Sequence, residues 1–180
     1  MFTLAMVVCL AMAPAPSPEV MDAIELTTEV AAPIDSVWAA WTTERGITSF
    51  FARGARIELR MGGAYDVYFH PEAPVGRRGA EGLKVLSYVP RRMVSFEWNA
   101  EPEFTRVNQH HTFVVVTMDS IGPGRTRVVL SHGGWYWDGA DWRQVHAIFE
   151  QAWPLVLRNL RHRFDVGPID WNDPTQNYSQ

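Results

Sequence analysis

Asp141 to Phe164 reads DWRQVHAIFEQAWPLVLRNLRHRF. Trp142, Val145, Phe149, Trp153 or Ala152, Val156, Leu160 and Phe164 fall near one stripe at helical spacing, which predicts a long amphipathic helix resting on something broad. Pro154 removes one backbone hydrogen bond and should kink or locally open that helix near Glu150 to Pro154. The tail beyond, from Gly167 to Gln180, is polar, contains two prolines and reads as irregular.

Upstream, the surface on which the helix could rest is legible as strands. Gly54 to about His132 alternates in short runs: Tyr65, Val67 and Phe69 against Asp66, Tyr68 and His70; Val94, Phe96 and Trp98 against Ser95 and Glu97; Val128, Leu130 and His132 against Val129 and Ser131. Breakers separate the runs at Gly62-Gly63, Pro74 to Gly79, Pro90-Arg91-Arg92 and Gly122-Pro123-Gly124. With no long helix between them to make parallel crossovers, an antiparallel meander is expected. Thr112 to Met118 is apolar on both faces, so its register is ambiguous, and a partner covering its outer face would read the same way. Ahead of the meander, Ala23 to Val30 reads as a strand. Pro33 and Asp35 then suit the first turn of a helix with Val37, Trp38 and Trp41 on its buried face. Thr43 can cap a second short helix running to about Phe51.

The chain has 180 residues and a mass of 20.4 kDa, with 47% hydrophobic and 20% charged residues. That composition fits one folded domain and excludes disordered, collagenous and coiled-coil classes. At this length folding removes roughly two-thirds of the unfolded surface from water, so the core needs no disulfide or structural metal. The formal net charge of -4 argues against a counterion-releasing grip on nucleic acid. All basic residues but Lys84 are Arg, which reads as coding bias more readily than as a set of anion forks. A single cysteine, Cys9, rules out an intrachain disulfide and a cysteine zinc cluster. The 8 Trp, 9 Phe and 5 Tyr can fill a core or line a pocket for planar and apolar ligands.

Residues 1–22 form an apolar and then Pro-rich segment. Met1 to Ala13 is too short to span a bilayer and is not followed by an anchor, so no integral membrane association is expected. Ala-Met-Ala before the prolines resembles a signal cleavage site, yet no Lys or Arg precedes the apolar run. Met21 can equally be the true start. Cytoplasmic residence is the expectation, with export the alternative if residues 1–20 are a signal. The domain itself is placed at 23–165 and an irregular tail at 166–180.

Strand, two short helices, a run of strands and one long C-terminal helix, in that order, form the helix-grip layout. The chain resembles the START-like (SRPBCC) superfamily, in the branch named for the activator of Hsp90 ATPase C-terminal domain, from about Ile24 to Phe164. The likeness rests on Ala32, Pro33, Val37 and Trp38; on Gly62, Gly63 and Tyr65; on Gly82 and Val85 leading to Pro90-Arg91-Arg92; on Thr126-Arg127-Val128, Leu130 and His132 before Gly133-Gly134-Trp135; and on Ala152-Trp153-Pro154 with Leu157, Asn159 and Leu160. One departure is Phe50-Phe51, where the family usually has Trp-Phe. The resemblance implies an α+β fold, a curved antiparallel sheet wrapped around the C-terminal helix. It further implies a cavity between them that in relatives holds lipids, polyketides or hormones and in some branches performs cyclisation or dehydration.

Strand alternation and the helix stripe nominate Trp38, Phe51, Tyr65, Phe96, Trp98, His132, Trp135, Trp142, Phe149 and Trp153 as the cavity wall, each of which could equally be core packing. His132, beside Gly133-Gly134, is expected to point into the mouth of the cleft with one nitrogen donating and one accepting, where it or Tyr65 could act as a general acid or base. Glu97 and Asp138 are the polar groups to test with them. His110-His111 with His132 or His146 has no metal-ligand spacing, and nucleophile-elbow, P-loop and dinucleotide motifs are absent, so neither metal nor cofactor is expected.

The leading expectation is binding of a small apolar or aromatic molecule, lipid- or polyketide-like, between the sheet and the C-terminal helix. An alternative is a cyclase or dehydratase using His132 or Tyr65 in the same cavity. A third is an Hsp90-type interaction role, disfavoured because that co-chaperone carries a separate N-terminal Hsp90-binding domain and few residues precede Ala23. Homodimerisation over the doubly apolar strand stays open.

Overall fold

Residues 21–136, 139–173 and 175–176 are described by the computed structural model. The signal-like segment 1–20 and Asp138 lie outside these residues. Strand β1 (Ile24–Val30) buries both its ends and leads to helix α1 (Ile34–Thr42), which starts after Pro33 with Asp35 in its first turn. Val37, Ala40, Trp41 and Thr42 face inward. Thr43 caps α2 (Glu44–Thr48), its hydroxyl accepting from the Gly46 N–H at 3.0 Å. Only glycine fits at position 46, because a Cβ there would lie 2.1 Å from the Ala39 carbonyl oxygen of α1. The second helix therefore stops at Thr48, short of Phe51.

Two antiparallel sheets follow. Strands β2 (Gly54–Ile57), β3 (Tyr65–Tyr68) and β4 (Gly79–Ala80) form the smaller one in that order. Strands β5 (Val85–Val89), β6 (Met93–Trp98), β7 (Thr112–Gly122) and β8 (Arg125–Gly133) join β1 in a five-stranded sheet ordered β1-β8-β7-β6-β5. The single meander expected between Gly54 and His132 is thus divided. Its halves are stitched by Val85 N–H to Gly63 O at 2.9 Å, Gly62 N–H to Val85 O at 2.8 Å and Tyr65 N–H to Leu83 O at 2.9 Å. The clean alternation expected along β3 also fails at Asp66, which is buried and accepts from the N–H groups of Gly82 and Leu83 at 2.7 and 3.3 Å. The crossing loop, rather than solvent, satisfies that carboxylate.

A short helix α3 (Thr105–Asn108), which the periodicity did not announce, separates β6 from β7. The ambiguous register of β7 is settled by its neighbours. Thr112, Val114, Val116 and Met118 are buried, while Phe113 stays 41% exposed on the outer face with its ring over Gly133.

Helix α4 (Ala140–Asp165) spans 26 residues and continues through Pro154. Glu150 and Pro154 are both exposed, so the carbonyl that loses its amide partner lies on the solvent side. Trp142, Val145, Trp153, Val156, Leu157, Asn159 and Leu160 are buried, and the helix lies along β1. Sheet, helices and α4 share one hydrophobic core, the helix-grip α+β arrangement. After α4 the described residues contain no further helix or strand, yet the segment is tied down. Ile169 is buried with its N–H on Ser49 O at 2.9 Å, and Trp171 donates to Thr48 O at 2.7 Å. None of the helices among the described residues is long and apolar enough to cross a membrane.

Candidate functional site

A cavity of about 600 Å³ opens between the N-terminal half of α4, the end of β6 and the segments that follow β3 and β6. Phe51, Phe69, Trp98, Phe149 and Trp153 supply its aromatic wall, and Val145, Ile148, Ala152, Leu155 and Val156 line it from α4. The rings support one another. Phe51 is stacked on Trp98 at 5.7 Å, Phe69 meets Phe51 edge-on at 6.0 Å, and Trp153 lies 5.2 Å from Trp98 and 6.1 Å from Phe149. Contacts of this kind fix ring positions beyond what area burial provides, so the wall is built before any ligand arrives.

The mouth is polar and divided by sign. His70 and Arg77 stand on the side formed by the β3–β4 connection, and Glu101 and Glu103 on the side formed by the chain after β6. Gly79 is part of the lining at φ 142°, where a Cβ would sit 2.5 Å from Val67 O and 2.9 Å from the Phe69 ring. Glycine is what allows Phe69 its place in the wall.

Of the ten residues nominated from sequence, Phe51, Trp98, Phe149 and Trp153 line this cavity and the other six do not. Trp38 is half-buried on α1. Phe96 and Tyr65 stack on each other at 3.8 Å as part of the filled core. Trp135 and Trp142 pack with His146 and Tyr136 behind the wall, Trp135 lying 6.0 Å from the cavity residue Phe149.

His132 does not reach the mouth of the cleft; it is fully buried. Its Nδ1 receives the Trp153 indole N–H at 2.8 Å, and its Nε2 lies 2.8 Å from the Thr112 hydroxyl. An indole can only donate, so Nδ1 is the accepting nitrogen and Nε2 carries the proton. The Thr112 hydroxyl, receiving from Nε2, passes its own proton to Trp98 O at 3.1 Å. Burial, with a smaller contribution from His146, pulls the His132 pKa down to about 3, so the ring is neutral at physiological pH. Its backbone oxygen also accepts from Trp135 Nε1 at 2.7 Å. The histidine thus holds the back of two cavity residues, Trp153 directly and Trp98 through Thr112.

Tyr65 is likewise occupied. Its hydroxyl donates to Trp41 O at 2.9 Å, and burial raises its pKa well above the usual tyrosine value. Glu97 faces the other side of β6, accepting from Lys84 N–H at 3.0 Å and lying 3.3 Å from His111 Nδ1. No cluster of three or more His, Cys, Asp or Glu among the described residues could hold a metal.

Arg77 and the segment Glu101 to Phe104 were missed by sequence reasoning because they lie in connections without periodicity, whereas Phe69 and His70 were read in the alternation of β3, which ends at Tyr68, and were not nominated for the wall. Ile148 and Leu155 were missed too, although their seven-residue spacing beside the main stripe is a usable signal.

Residues 31–165 match the model of the family described as Activator of Hsp90 ATPase homolog 1-like protein. The chain belongs to this family. The helix-grip geometry agrees with solved structures of the AHSA1-like kind. Protein MLL2253 from Mesorhizobium loti superposes with a TM-score of 0.64 at 17% identity, over 79% of this chain and 96% of that one. The Aha1 dimer from Colwellia psychrerythraea gives 0.60 at 18%, over 82% and 98%. CalU16 from Micromonospora echinospora gives 0.59 at 19%, over 86% and 78%. At these identities the likeness is one of fold. No curated protein matches the chain.

Proposed function

We propose that this AHSA1-like domain binds a small apolar or aromatic molecule in the cavity beneath α4. The supporting observation is the 600 Å³ space walled by Phe51, Phe69, Trp98, Phe149 and Trp153. Volumes of this order suit drug-sized ligands, and the mixture of an apolar wall with a few polar groups at the mouth is the usual composition of such sites. Burying ~300 Å² of apolar ligand at ~25 cal/mol per Å² gives on the order of 7 kcal/mol gross, from which immobilisation is subtracted, so apolar area alone supports binding no tighter than about 10 μM. Catalysis through His132 or Tyr65 is not part of this proposal, because both side chains are buried outside the cavity lining with their polar atoms engaged in hydrogen bonds to the protein.

Ala152 is half-buried in the lining, so Ala152→Trp fills the space from the helix surface without removing core contacts. Native mass spectrometry of co-purified molecules, with thermal-shift screening of lipids, polyphenols and polyketides, should show ligands on wild type and none on the variant. Equal ligand binding by both proteins would place the site elsewhere. Stoichiometric recovery of Hsp90 by wild type and variant alike would favour the interaction role instead.

A further inference from the structure

We infer that the ligand of this cavity is amphipathic and anionic, an apolar or aromatic body ending in a carboxylate-type oxygen group that lies against the His70 and Arg77 side of the mouth. This inference rests on the cavity being a binding site. Two observations carry it further than apolar binding.

The first is the contrast between two neighbouring arginines. Arg78 is fully engaged: its Nε–H and Nη2–H both donate to Glu81 Oε1, at 2.7 and 2.5 Å, and its guanidinium lies 4.5 Å over the Tyr68 ring. Arg77, one residue earlier, lines the cavity and has no side-chain partner among the described residues. A planar fork of donors left open at the mouth of an apolar space matches a carboxylate in shape and charge.

The second is the placing of Glu101 and Glu103. Both are exposed and belong to the segment after β6, whereas Arg77 belongs to the β3–β4 connection. They repel an anion from their own side and so direct its head toward Arg77. Were these carboxylates to dominate, a cationic head would be preferred, and that is a distinguishable result.

The test is isothermal titration calorimetry of wild type with two series matched in body: decanoate, decanol and decyltrimethylammonium, and naphthalene-2-carboxylate, 2-naphthylmethanol and 2-naphthylmethylammonium. The carboxylates should bind about three- to tenfold more tightly than the alcohols, and the preference should shrink with added salt. Arg77→Gln, at an exposed position, should bring carboxylate affinity down to that of the alcohol. Glu101→Gln with Glu103→Gln should strengthen carboxylate binding. Equal affinity for carboxylate and alcohol, an Arg77→Gln variant that keeps the preference, or tightest binding of the ammonium would overturn the anionic assignment while leaving the cavity reading intact. No binding by any of the six probes would overturn the cavity reading itself.

Discussion

The indole N–H of Trp153 donates to Nδ1 of His132 at 2.8 Å, joining the middle of α4 to the end of β8. One partner lines the cavity and the other does not, so the wall's geometry depends on a residue that a ligand would not touch. Replacing Trp153 by Phe keeps an aromatic ring but removes the donor and leaves Nδ1 buried without one. The expected loss is about 1–3 kcal/mol in urea unfolding. An unchanged midpoint would mean that the bond contributes nothing net.

The same histidine sets a pH dependence. Its folded pKa, about 3, is below the 6.5 of an ordinary histidine, so the unfolded chain binds the proton more readily. The resulting stability is fully present above pH 6.5 and is lost as pH falls toward 3. Between pH 6.5 and 5, ahead of most carboxylate titration, the wild-type slope should approach about 1.4 kcal/mol per pH unit. His132→Gln, less stable at neutral pH, should be flatter over that interval in chemical denaturation. Parallel curves would show that His132 does not titrate as placed here.

Tyr65→Phe removes the hydroxyl that meets Trp41 O and leaves the stack on Phe96 in place. Stability should fall by about 0.5–1.5 kcal/mol, with ligand affinity unchanged. A large loss of binding at normal stability would return Tyr65 to the site.

At Gly79, an added methyl collides with Val67 O and with the Phe69 ring while occupying a backbone conformation that side chains rarely adopt. Gly79→Ala should therefore lower stability by about 1–3 kcal/mol and weaken binding of aromatic ligands as Phe69 is displaced. Normal values of both would show that the β3–β4 connection yields freely.

The outer face of β7 presents Phe113, Val115 and Thr117 outward, with Phe113 41% exposed. If a second copy covers it, light scattering should give a dimer for wild type and a monomer for Val115→Lys. A monomeric wild type removes the idea.

The order of elements and the stripe of α4 were legible because periodicity records which face is buried. Phe51, Trp98, Phe149 and Trp153 could be nominated on that basis, and Phe96 and Tyr65 equally well, because residues of one concave face share a pattern whether they fill the groove or border a gap. Trp98 and Phe96 are two positions apart on β6, yet only the former reaches the cavity. What separates them is the distance between α4 and the sheet along the groove, which no local pattern encodes. The mouth was illegible for another reason. His70, Arg77, Glu101 and Glu103 come from connections whose course is set by tertiary closure, such as Asp66 holding Gly82 and Leu83.

Trp98 and Trp153, tilted 51° to each other at 5.2 Å, form a coupled chromophore pair in the cavity lining. Their near-ultraviolet circular dichroism should carry an exciton signature, and an occupant lying against them should change their emission. Filling of the cavity should then be readable optically, without a label.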